Sequence, residues 1–180
     1  VCELAGIPPV LHMGSCVDIS RMMILASDLA KDWGINISQI PLCGCAPEWM
    51  SEKAVSIGVH DSHFANPNGL TNPNHYTTAY DMVKIAAYAM KNPDFRKIVG
   101  STYHKTTTGS VIRYMKNKNK ILWQYEGGCG VKTGFTKAAG RCLVFAAERD
   151  GMTLIGAGLS CPDMFNVAKA MLDYGFASFR

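Results

Sequence analysis

The sequence predicts an α/β chain, and three observations predict it. Two apolar runs, residues 142–147 and 152–159, flank Arg149-Asp150-Gly151, and the Asp-Gly pair is a strong signal for a tight antiparallel turn. Residues 131–135 read as a further strand ahead of that hairpin. Four stretches, 48–57, 77–92, 93–99 and 162–176, carry helical apolar spacing or helix-start signals.

Composition sets the outer bounds. With 180 residues, 48% of them hydrophobic, the chain can fill one sizeable core or a domain with an appendage. No run approaches the length of a membrane-spanning helix. No signal peptide is visible and the first residue is Val1, so the chain is expected to be a fragment without its targeting information. The net charge of +4 is small and dispersed for a nucleic-acid footprint, and no nucleic-acid partner is expected. The seven cysteines are Cys2, Cys16, Cys43, Cys45, Cys129, Cys142 and Cys161, an odd count that leaves at least one thiol outside any intramolecular bridge. Cys43-Gly44-Cys45 hints at metal, yet His12, His60, His63, His75 and His104 show no zinc-ligand spacing with it, so no metal is expected.

Residues 1–48 resist assignment. Residues 19–30 are apolar enough for a helix, with Asp18 as a cap and Trp33-Gly34 as its end, but 41–47 show no period. From there the pattern is orderly. Met50, Ala54 and Ile57 share one face of helix 48–57, and Gly58 is a stop signal. Asn66-Pro67-Asn68-Gly69-Leu70 lies in a turn-rich segment. Thr78 and Asp81 have capping-box spacing ahead of a stripe of Met82, Ile85, Ala86 and Ala89. Pro93 suits the first turn of a short helix. Residues 101–108 are β-prone, Gly109 turns the chain, and 111–114 return. In helix 162–176, Phe165, Ala168, Met171 and Leu172 are expected to share the buried face.

The chemistry concentrates in Lys132-Thr133-Gly134. The tripeptide supplies a cation, a hydroxyl donor and a residue without Cβ at adjacent positions, which suits an extended substrate ending in a carboxylate. Chance places such a tripeptide in roughly 4% of chains this long, so the flanks decide. Val131, Phe135-Thr136 and Ala139-Gly140 lead into the apolar hairpin, and Asn66-Pro67-Asn68-Gly69-Leu70 precedes. Together these residues resemble the D-alanyl-D-alanine carboxypeptidases, the low-molecular-weight penicillin-binding proteins of serine peptidase family S11. The resemblance covers about residues 49–180, which reads as the C-terminal portion of a penicillin-binding domain, with 1–48 unassigned. It implies an α/β, β-lactamase/transpeptidase-like fold, a central antiparallel sheet flanked by helices, present here as a partial domain. A class A β-lactamase fits less well, because the Asn-Pro-x-Gly-Leu block favours the carboxypeptidases.

In that family a helical Ser-x-x-Lys carries the nucleophile and its basic neighbour on one face. A loop Ser-x-Asn assists, and backbone N–H groups form the oxyanion hole. Neither motif occurs here: no Ser is followed three positions on by Lys, or two on by Asn. Cys129-x-x-Lys132 and Thr102-x-x-Lys105 have the first spacing but fall on expected strands, where i and i+3 point to opposite faces. Ser27 stands 23 residues before Met50, near the place of the second-motif serine, but is followed by Asp28-Leu29. By resemblance, Lys132 matches the catalytic cation, Thr133 and Gly134 the substrate-binding pair, and Phe135 an oxyanion N–H. Lys118 stands near a family arginine, keeping its charge without the bidentate fork. Cys129 stands where the family usually has Asp.

The resemblance implies a serine-type enzyme that trims the terminal D-alanine of peptidoglycan stem peptides outside the membrane, binds β-lactams in its intact forms, and needs no cofactor or metal. The chain as written is expected to be inactive; a non-catalytic module binding wall peptides is the alternative. The mild positive charge is compatible with an anionic wall. The family pattern stops abruptly near Glu48. Residues from about 7 to 48 are therefore expected not to be the ancestral coding of this region, replaced by a compensated frameshift or by a truncated or misassembled gene.

Overall fold

A computed structural model describes residues 46–66, 69–108 and 111–179. The expected helix at 19–30, its cap Asp18, Ser27 and the first four cysteines lie outside them. The described chain runs α1 (Ala46–Ser56), α2 (Ala79–Ala89), α3 (Pro93–Gly100), β1 (Tyr103–Thr108), β2 (Val111–Lys116), α4 (Ile121–Gln124), β3 (Gly128–Thr136), β4 (Gly140–Arg149), β5 (Met152–Gly158) and α5 (Met164–Ser178).

Local chemistry sets the boundaries. The Asn92 side chain accepts the N–H groups of Asp94 and Phe95, with Pro93 in the first turn of α3. Thr78 caps α2 by accepting the Asp81 N–H. The predicted capping box is only half formed. The Asp81 carboxylate, 1% exposed, instead accepts the Asp61 N–H at 2.9 Å and the Ser62 hydroxyl at 2.8 Å, tying the turn-rich segment to α2. Between β4 and β5, Asp150 (φ 50°) and Gly151 (φ 79°) both adopt the left-handed conformation that a type I′ hairpin turn requires.

The central sheet is antiparallel, in the order β3-β4-β5. A separate antiparallel ribbon pairs β1 with β2 over six residues, from Tyr103 opposite Lys116 to Thr108 opposite Val111. Helices cover both faces of the central sheet. Leu143, Phe145 and Ala147 pack with Ile121 of α4 and with Ala168 and Leu172 of α5. Val144 and Ala146 point the other way, to Ala86 and Met90, with Val131, Phe95 and Val99 alongside. The β-lactamase/transpeptidase-like arrangement expected from the sequence is thus present: an antiparallel sheet between helical layers.

One detail adds to the expected pattern and one differs from it. Ahead of β3, Ile121 is fully buried and belongs to the short helix α4, packed against the sheet. In α5 the buried positions are Ala168, Leu172 and Gly175, while Met171 is 47% exposed. The helix is rotated so that Gly175 meets Leu154 of β5, where a Cβ would fall 2.6 Å from the leucine Cδ1 and require that side chain to shift.

The carboxylate of Asp81 supplies a stability test. Asp81→Ala is expected to lower the unfolding free energy in urea by about 1–3 kcal/mol, because two donors lose their acceptor in a buried place. An unchanged transition midpoint would show that solvent replaces the carboxylate.

Candidate functional site

Strand β3 carries the candidate site. Its start is fixed by close packing: a Cβ on Gly128 would fall 2.1 Å from the Ile121 carbonyl oxygen, so only glycine lets the strand pass over α4. A register shift follows between Gly128 and Gly130. The tripeptide then lies in regular pairing, with Lys132 opposite Val144, Thr133 opposite Leu143 and Gly134 opposite Cys142. Among the described residues β3 pairs with β4 alone, so its outer edge is open. Lys132, Gly134 and Phe135 are exposed and Thr133 is half-buried.

Lys132 donates from Nζ to the Thr133 carbonyl oxygen at 2.5 Å. Its ammonium reaches solvent, yet the protein around its stem desolvates the charge and lowers its pKa below the ordinary lysine value; the Lys118 charge presses in the same direction. Lys132 and Lys118, named separately as site residues from the sequence, are therefore electrostatic neighbours.

A turn that sequence reasoning passed over holds Lys118. The Asn117 amide donates to the carbonyls of Val99 (3.4 Å) and Ser101 (3.1 Å) at the end of α3. Its Oδ1 accepts the Asn119 N–H, and Asn119 Oδ1 accepts the Ile121 N–H. Asn119 is wholly buried, and its amide nitrogen has no hydrogen-bond partner among the described residues. The signal was present in the alternation Asn117-Lys118-Asn119, since Asn side chains bond backbone two residues on.

Cys129 is part-buried near the start of the tripeptide strand. It packs against the α2–α3 face of the sheet, and burial pushes its thiol pKa up, with Arg96 and Glu148 acting in opposite directions. The thiolate is the reactive form, so the environment suppresses it. A cavity of about 470 Å³ opens between α1 and the turn-rich segment, lined by Glu48, Ser51, Glu52, His63 and Asn74 among others. None of the predicted site residues lines it. No group of metal-ligating side chains is found among the described residues.

A model of the family described as D-alanyl-D-alanine carboxypeptidase matches residues 47–162. The D-alanyl-D-alanine carboxypeptidase of a Streptomyces species is 42% identical over 138 residues, covering 71% of this chain and 47% of that protein. The crystal structure of a Streptomyces DD-transpeptidase aligns with a TM-score of 0.66 at 40% identity, over 72% of this chain and 53% of that one. This chain thus spans about half the length of each. A second family, prismane/CO dehydrogenase, matches residues 1–72. Carbon monoxide dehydrogenase 1 of Methanosarcina mazei is 70% identical over 60 residues, which is 33% of this chain and 10% of that protein. A match of that quality in the frame as written removes the frameshift explanation for the atypical N-terminal stretch.

The Lys132 environment predicts a titration. Because folding lowers its pKa, the protonated amine opposes folding at neutral pH, and that penalty fades as pH rises through the folded pKa toward the unfolded value. A ¹³Cε NMR titration is expected to place Lys132 below the other lysines. Lys118→Ala moves it part of the way back, burial being the larger cause. A Lys132 curve that overlays the bulk lysines would contradict the desolvated setting.

Proposed function

The chain belongs to the family of D-alanyl-D-alanine carboxypeptidases, and on that footing we propose that β3 is the peptide-binding strand of its penicillin-binding domain and that the chain as given binds without being acylated. The observation that carries this reading is the open edge of β3 bearing Lys132, Thr133 and Gly134, with the Lys118 charge beside it. An extended peptide adds to such an edge through backbone hydrogen bonds. Gly134 leaves room for the incoming backbone. The Thr133 hydroxyl and the two ammonium groups suit a terminal carboxylate, and the Phe135 N–H suits a developing oxyanion. The substrate class is the D-alanyl-D-alanine end of a peptidoglycan stem peptide, met outside the membrane. β-Lactams, as mimics of that end, are ligands of the same strand.

Acylation needs more than this strand. A serine oxygen must lie within reach of a basic group, and the 180 residues contain neither Ser-x-x-Lys nor Ser-x-Asn. The family places both motifs upstream of α1, where this chain is similar to a carbon monoxide dehydrogenase instead. In this reading the carboxypeptidase part retains the carboxylate-binding half of the site and lacks its nucleophile. The alternative, a dedicated wall-peptide-binding module, rests on the same missing motifs.

Incubation with a β-lactam is expected to leave the intact mass unchanged, and an acyl-D-alanyl-D-alanine peptide is expected to bind without release of D-alanine. Lys132→Ala weakens that binding by about tenfold or more, the scale of one charge-assisted hydrogen bond. A stoichiometric mass increase on any serine overturns the inactive reading, and unchanged peptide affinity in Lys132→Ala overturns the site.

A further inference from the structure

We propose that the outer face of the β1–β2 ribbon binds a phosphodiester-linked wall polymer, a polyol- or sugar-phosphate chain, at a surface distinct from the Lys132–Thr133–Gly134 strand. The choice of polymer rests on the envelope reading given above; the cationic face itself does not.

Residues 95–125 hold seven lysines and arginines and no carboxylate, within a chain whose net charge is only +4. The fold gathers part of this charge on one surface. Tyr103 lies opposite Lys116, Lys105 opposite Tyr114 and Thr107 opposite Ile112, and directly opposed residues share a face. All six are exposed, Tyr103 at 65% and Tyr114 at 75%. The other face of the ribbon carries Thr106, 1% exposed, and half-buried His104 and Met115, with Arg113 and Val111 exposed toward the tip. Burial is thus confined to that side and to the end near the body, and the tyrosine–lysine side is uncovered among the described residues.

That side is organised before anything binds. Tyrosine and lysine alternate across and along the strands as a checkerboard. The Lys105 ammonium sits 5.8 Å from the Tyr114 ring centroid, and Lys116 sits 5.5 Å from Tyr103 and 4.7 Å from Trp123. Cation–π contact restrains each lysine on one side and leaves its remaining N–H donors outward. Less side-chain freedom is then lost on binding. Lys105 and Lys116 stand diagonally, about 7–8 Å apart by sheet geometry, so a ligand that satisfies both must repeat its negative charge along its length. The exposed ring faces suit the C–H surfaces between successive charges. A bilayer fits less well, because interfacial anchoring calls for a broad face of Trp, Phe or Leu, and this face holds Tyr, Lys, Thr and a single Ile.

The test uses the full chain and poly(glycerol phosphate) as the probe. Binding is expected to weaken as sodium chloride rises, because exposed charges are screened. The Lys105→Gln/Lys116→Gln double variant is expected to lose about tenfold or more in affinity, and Tyr103→Ala/Tyr114→Ala several-fold, each with an unchanged thermal transition. Lys132→Ala leaves polymer binding intact, and the ribbon variants leave D-alanyl-D-alanine peptide binding intact. Wild-type polymer affinity in both ribbon variants overturns the proposal. So does stronger competition from phosphatidylglycerol vesicles or oligothymidylate than from the polymer. Loss of peptide binding in the ribbon variants would likewise overturn the claim of two distinct surfaces, whereas unchanged peptide affinity in Lys132→Ala, with polymer binding still lost in the ribbon variants, would count against the carboxylate-strand reading and leave the ribbon assignment standing.

Discussion

The structure depends on the two-sided burial of β4. Leu143 through Ala147 are buried without interruption, odd positions toward α4 and α5 and even positions toward α2 and α3. An antiparallel strand with one wet face alternates apolar and polar residues; one covered on both faces reads as a continuous apolar run. Burying Leu143 and Phe145 contributes about 1.5–3 kcal/mol each, and both contacts are lost if the strand slips by one residue, because every side chain then changes face. β3 takes its register from this strand. Through that pairing Lys132, opposite Val144, is set beside Lys118.

Much of this was legible from residue pattern. The Asp150-Gly151 pair located the β4–β5 turn because a type I′ turn admits few other residues. Asn92-Pro93 located the start of α3 for similar steric reasons. The misreadings share a cause: they turn on contacts between elements distant in sequence. Met171 has the right spacing for the buried face of α5, but Gly175, close to Leu154 of β5, is buried instead. Asp81 has the right spacing for a capping box, but Asp61 and Ser62 claim its carboxylate. At the candidate site, Lys132 to Phe135 were singled out from the tripeptide together with its flanking residues. The brace formed by Asn117 and Asn119 was missed, since its acceptors on Val99 and Ser101 lie some sixteen or more residues away.

Helix α1 stands where the two sequence relationships overlap, since one match spans residues 1–72 and the other 47–162. Ala54 is its buried position, and Gly58, at φ 81°, follows its end. Fold and chemistry therefore part company along this chain. The elements that build the sheet, β3 included, match the carboxypeptidase family, while the region expected from the resemblance to bring a serine is similar to the prismane/CO dehydrogenase family.

The open edge of β3 also bears on how copies of this chain behave toward one another. A row of unpaired backbone donors and acceptors is a template for a strand from any neighbouring molecule, and flat apolar edges of this kind lead to aggregation. Here the edge carries Lys132, and two such edges brought together would set like charges against each other in a partly desolvated place. The charge that, on the proposed reading, would receive a carboxylate therefore also disfavours the approach of a second β3.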